Sequence, residues 1–123
     1  MSWKDICDIE DFQTVLQRSE ERPVLLFKHS TRCSISSVAL ARLDGEDELD
    51  EFLDSYLIDV INCRPLSNLI ANHFEIRHES PQILLIFKGE CIYDESHLAI
   101  FPKDIKDVTL EAIKGSPWRI APH

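Results

Sequence analysis

The 123-residue chain reads as one α/β domain, a mixed four-stranded sheet with helices on both faces in the order α-β-α-β-α-β-β-α. Three observations carry that expectation. Short, apolar, β-rich runs alternate with segments whose apolar residues recur every three or four positions. Two successive strands are separated by a helix, which makes them parallel with a right-handed crossover, whereas the last two are joined by a tight turn and run antiparallel. No internal repeat and no long linker divides the chain, so residues 1–123 are expected to form a single domain.

Ile9, Phe12, Val15 and Leu16 keep helical spacing, with Asp8 or Asp5 as the cap and Pro23 as the stop. Val24, Leu25, Leu26 and Phe27 form a short apolar run of the kind that builds a buried strand. Cys33 follows six residues after Phe27, and the segment 34–43 then carries Ile35, Val38, Ala39 and Leu43 on one helical face. The stretch 56–61 is β-rich and about the length of a central strand. Pro65 suits the first turn of a helix whose apolar face is Leu66, Leu69, Ile70 and Phe74. Ser80 and Pro81 break the chain before the strand 83–87, and the turn at 88–90 leads into Cys91, Ile92 and Tyr93 as a hairpin. A last helix spans about 103–114, with Ile105, Val108, Leu110 and Ile113 apolar and Gly115 ending it.

Hydrophobic residues make up 44% of the chain and charged residues 28%, which is a globular balance. The net charge of −9 repels phosphate backbones and anionic lipid, so neither nucleic acid nor a membrane is an expected partner. Seven of the acids fall between Asp44 and Asp54, where Leu49, Phe52 and Leu53 keep helical spacing and leave the carboxylates on a solvated face rather than in a metal site. The N-terminus lacks a basic region followed by an apolar stretch, and no 18 apolar residues run together, so a soluble, cytoplasmic protein is expected. The four cysteines, Cys7, Cys33, Cys63 and Cys91, are widely spaced and read as thiols rather than as a disulfide framework or a zinc site.

Cys33 lies where a strand gives way to a helix, beyond the carboxyl end of a parallel strand, and this is where functional crevices of open α/β sheets form. Unpaired N–H groups and the positive end of the helix dipole favour a thiolate there, with Arg32 and His29 adding to the field. Cys33 is the expected nucleophile. Cys7, Cys63 and Cys91 are read as packing residues, with Cys63 and Cys91 also candidates for resolving a mixed disulfide.

Several stretches carry a more specific signal: Phe27-Lys28-His29-Ser30-Thr31-Arg32-Cys33-Ser34-Ile35-Ser36, Arg64-Pro65-Leu66-Ser67-Asn68, His78-Glu79-Ser80-Pro81-Gln82, and Ser96-His97. Over roughly 10–113 they resemble, in order, the monothiol bacilliredoxin family of YtxJ-like proteins. That resemblance implies a thioredoxin-like fold, a bacterial cytoplasm, and the removal of bacillithiol, a low-molecular-weight thiol, from mixed disulfides on client proteins. Carried over, Cys33 is the attacking thiolate and Ser36 takes the place of a resolving cysteine. Pro81 matches a proline held in cis facing the nucleophile, and the Ser80 backbone offers a β-like contact to the bound thiol. Thr31 and Arg32 support the site, and His29, Arg32, Ser96 and His97 are candidates for the polar end of the ligand. Ser34 departs from the family, which has proline after the nucleophile; serine restores an N–H donor near the sulfur and makes Cys33 a better leaving group but a weaker attacker.

The expected activity is therefore monothiol thiol-disulfide exchange through Cys33, with the small thiol as co-substrate, a second thiol to close the cycle, and no metal or nucleotide required. Two other classes are compatible with the fold. A monothiol glutaredoxin-like iron-sulfur carrier is one, although the glycine-phenylalanine pair of such carriers is Ser34-Ile35 here; a non-catalytic adaptor is the other. The oligomeric state is not set by the sequence.

Overall fold

A computed structural model describes residues 1–115; positions 116–123 of the expected domain lie outside the described residues. The elements are β1 (Trp3–Asp5), α1 (Ile9–Ser19), β2 (Val24–His29), α2 (Ser34–Asp44), β3 (Asp54–Asp59), α3 (Arg64–Phe74), β4 (Gln82–Phe87), β5 (Glu90–Ser96) and α4 (Pro102–Lys114), with 3₁₀ turns at Asp47–Glu51 and His97–Ala99. The sheet runs β1-β3-β2-β4-β5. β1 and β2 both pair parallel to β3, while β4 pairs antiparallel to β2 and to β5. The expected order stands, with one strand more than the four expected. At three residues, β1 is too short to show any period, and only its pairing with β3 makes it a strand.

β2 and β4 are buried along their whole length, which is why Val24 to Phe27 and Ile83 to Phe87 are continuous apolar runs. On one face Val24, Leu26, Ile58, Leu84 and Ile86 pack with Phe12 and Val15 of α1 and Leu66 and Ile70 of α3. On the other, Leu25, Phe27, Ile83 and Leu85 pack with Ala39 and Leu43 of α2 and Ile105 of α4. The β4–β5 turn has both central residues at positive φ, Lys88 at 56° and Gly89 at 78°, the combination that matches the twist of a two-residue hairpin.

Two expectations about faces are corrected. α2 buries Ser36, Ala39 and Leu43, whereas Ile35 and Val38 are 39% and 47% exposed. The helix turns its first-turn serine, not its isoleucine, toward the sheet because Ser36 has a partner there in His29. The acidic run, in turn, is more than a solvated face. The Asp44 carboxylate accepts from the Trp3 indole at 2.9 Å, Asp47 from the Met1 ammonium at 2.9 Å, and Asp50 from Ser2, so the run anchors the segment that carries β1.

Candidate functional site

The sequence folds locally so that β2 delivers its end to the N-cap of α2, which is Cys33. A tight turn gets it there: Cys33 N–H donates to Ser30 O at 3.2 Å, and Arg32 N–H to Ser30 Oγ at 3.4 Å. Thr31, Arg32 and Ser34 are exposed and Cys33 is half-buried, which sets the cysteine among exposed neighbours at a helix N-terminus.

Ser36, one turn into α2, is fully buried. Its Oγ accepts from Ser30 N–H at 3.1 Å and lies 2.6 Å from His29 Nδ1. Burial, opposed in part by the charges of Asp59 and Asp44, holds the His29 imidazole below its ordinary value. Ser36 Oγ and His29 Nδ1 share a hydrogen bond, so the Ser36 hydroxyl is fully engaged on the buried side of the helix. His29, expected at the polar end of the ligand, is 9% exposed and bonds to Ser36 instead of standing at the surface.

The β2–β4 register, Lys28 opposite Gln82, brings Pro81 beside the end of β2. The Ser80–Pro81 peptide bond is cis. Ser80 Oγ is buried without a hydrogen-bond partner among the described residues. His97, at φ 59°, donates its N–H to Pro81 O at 2.9 Å and places Nε2 3.1 Å from Glu79 Oε2. Ser96 closes β5 opposite Gln82. Cys33, Ser80, Pro81, Ser96 and His97 therefore gather at one end of the sheet, where β2 ends, β4 begins and β5 ends.

The remaining cysteines fall elsewhere. Cys63, the N-cap of α3, is bonded to Cys7, with the Cα atoms 5.0 Å apart, so the expectation of four free thiols fails for this pair. The bond follows from topology: parallel pairing of β1 with β3 carries the chain past Leu57, whose carbonyl accepts from Ile6 N–H, and sets Cys7 beside the loop after β3. A sequence separation of 56 hid this from a linear reading. Cys91 on β5 packs against the core, and burial pushes its thiol up to about 11, so it stays protonated at neutral pH and is unsuited to resolving.

Sequence reasoning missed a buried polar cluster behind the site. Lys28 lies within the apolar β2 run and is fully buried; its Nζ donates to Ser67 O at 3.0 Å and sits 3.2 Å from His78 Nδ1. Burial pulls the lysine down to about 8. His78 is lowered too, first by burial and then by the charges of Lys28 and Arg64. The signal was legible as a lone lysine in an otherwise apolar strand. This cluster ties α3 to the loop that leads into Pro81.

Among solved structures, a thioredoxin-fold protein described as a candidate oxidoreductase superposes with TM-score 0.77 at 28% identity, covering 86% of this chain and 92% of that one. Thioredoxin from Trypanosoma brucei brucei matches with TM-score 0.71 at 13% identity, over 92% of each chain. Malassezia sympodialis thioredoxin matches with TM-score 0.68 at 16% identity, over 89% of this chain and 90% of that one. The fold is that of thioredoxin. A free, helix-capping cysteine at the same end of the sheet as a cis-proline on that fold is equipped for thiol redox chemistry, and the model of the monothiol bacilliredoxin BrxC family matches residues 4–105: the chain belongs to the monothiol bacilliredoxin family.

Proposed function

We propose that the protein removes bacillithiol, or a closely similar small thiol, from mixed disulfides on client proteins, using Cys33 alone. The observation that carries this reading is the pairing of a free, half-buried Cys33 at a helix N-terminus with a fully buried, hydrogen-bonded Ser36 where a dithiol protein would keep its second sulfur. The Cys33 thiolate attacks the small-thiol sulfur; a new S–S bond forms to Cys33, the client's S–S bond breaks, and the client sulfur leaves with the electron pair. A second thiol then attacks the small-thiol sulfur; a new S–S bond joins those two, the bond to Cys33 breaks, and Cys33 leaves as thiolate for the next cycle. The unpaired Ser80 Oγ, with Ser96 and His97 across the cis-Pro81 segment, supplies polar contacts for the small thiol. The half-exposed apolar side chains Ile35 and Val38 on α2, together with Leu98 on the adjoining 3₁₀ turn, supply a surface for the client. The setting for this chemistry is the bacterial cytoplasm.

The test is release of the small thiol from a thiolated client. Cys33→Ser abolishes it and Cys91→Ser leaves it intact. Undiminished release by the Cys33 variant contradicts the proposal.

A further inference from the structure

The sheet places two cysteines in equivalent positions. The β2–β3 register pairs His29 with Asp59, and each strand is followed four residues later by a cysteine that caps the next helix, Cys33 for α2 and Cys63 for α3. Because α2 and α3 pack on opposite faces, the two sulfurs stand at the same end of the sheet but on opposite sides of it. Cys33 is free, whereas Cys63 is bonded to Cys7.

That bond is not what holds its two ends in place. On the Cys7 side, the segment before it is fixed by Ser2 on Asp50, the Trp3 indole on Asp44, β1 on β3, and Ile6 N–H on Leu57 O. On the Cys63 side, α3 is fixed by fully buried Leu66 and Ile70 and by the edge-on stacking of Phe74 with Phe12, centroids 5.8 Å apart. Opening the disulfide leaves both sulfurs close together, so closing it again requires no search through unfolded chain.

The two sulfurs also differ in access. Cys7 is exposed and Cys63 is 6% exposed. An incoming thiolate therefore reaches Cys7, and the departing charge falls on Cys63, at a helix N-terminus, which stabilises a thiolate leaving group. A disulfide in a domain with a full core, attackable on one side and stabilised as a leaving group on the other, has the properties of an exchanging bond rather than a staple.

We propose that Cys7–Cys63 is a second thiol-disulfide exchange centre, which accepts electrons from dithiol reductants by attack at Cys7 and works without Cys33. In the first step a reductant sulfur bonds to Cys7 Sγ, the Cys7–Cys63 bond breaks, and Cys63 leaves as thiolate. In the second, the reductant's other thiol displaces Cys7; the reductant ends as its own disulfide and the protein gains two electrons and two thiols. An oxidised dithiol runs the sequence backwards.

The test uses the full chain carrying Cys33→Ser and Cys91→Ser, so that only this pair remains. Native protein is equilibrated with mixtures of reduced and oxidised dithiothreitol, acid-quenched and alkylated, and its intact mass is read. The expected result is a reversible gain of two alkylation sites without denaturant, with far-UV circular dichroism unchanged across the transition. With Cys63→Ser in addition, an activated small disulfide labels Cys7. A bond that opens only after unfolding, a dichroism loss on opening, or thiols that oxidised dithiothreitol does not close would each overturn the proposal. Because Cys33 is absent, none of these outcomes bears on the de-thiolation reading above.

Discussion

Lys28 brings a charge into the core with only a carbonyl and an imidazole for company. The consequence is a specific pH dependence. Below about pH 8 folded and unfolded chains both hold the proton, and the full cost of burying the charge is present. As pH rises from about 8 toward 10.5 the folded chain gives up the proton first, so stability increases through that window. Cys91 acts in the opposite sense: with its thiol raised from 9.0 to about 11, the folded chain keeps that proton longer and stability falls across that interval. Comparing wild type with Lys28→Met separates the two. The variant loses an alkaline gain on the order of 1–3 kcal/mol, read from urea midpoints between pH 7.5 and 10; an unchanged difference across that range would mean that Lys28 keeps its proton in the folded chain as it does in the unfolded one. Ser36→Ala makes a second residue-scale case. It strands the Ser30 N–H and the His29 ring beneath Cys33 and costs about 1–3 kcal/mol by urea unfolding, with the rate of Cys33 alkylation also altered.

Among the elements, the strand-helix alternation was legible because β2 and β4 are buried on both faces and so write their position as unbroken apolar runs, Val24 to Phe27 and Ile83 to Phe87. The place of Cys33 was equally legible, since it lies between such a run and a helix, and the structure has it capping that helix. What stayed hidden depended on contacts distant in sequence. β1 exists by virtue of β3, the acidic run by virtue of the N-terminal segment it anchors, and the Cys7–Cys63 bond by virtue of both. The face of α2 was misread for a local reason: Ile35 and Val38 fit the helical period, but a buried hydrogen-bonded pair, His29 and Ser36, outcompeted them for the inward side at the end of the sheet. β1 also yields a prediction. Trp3 meets Phe27 edge-on at 5.7 Å and bonds Asp44, so Trp3→Ala costs about 1–3 kcal/mol in a urea titration although the residue lies on an edge strand. In the deep core, Leu43→Ala, at a side chain with no solvent exposure, costs more, about 2–5 kcal/mol.

Over the whole molecule, a net charge of −9 surrounds the free thiol of Cys33. That field slows the approach of anionic small disulfides, and salt screens it. Exchange between Cys33 and a negatively charged disulfide therefore speeds up several-fold as ionic strength rises from low to physiological values, while exchange with a neutral disulfide of similar leaving group changes little. Stopped-flow kinetics on both substrates read this directly, and a rate that falls with salt would place a net positive potential at the site. The claim underlying the proposed de-thiolation is that it works through one sulfur, that of Cys33 at the start of α2, at the end of the sheet where Pro81 lies. It is tested most directly by mixing the protein with a bacillithiolated client, quenching in acid within the first turnover, and mapping the adduct by peptide mass. The small thiol on Cys33, in a one-to-one adduct absent from Cys33→Ser, is the predicted result; the adduct on Cys91 or Cys7, or client release with Cys33 unmodified throughout, would contradict it.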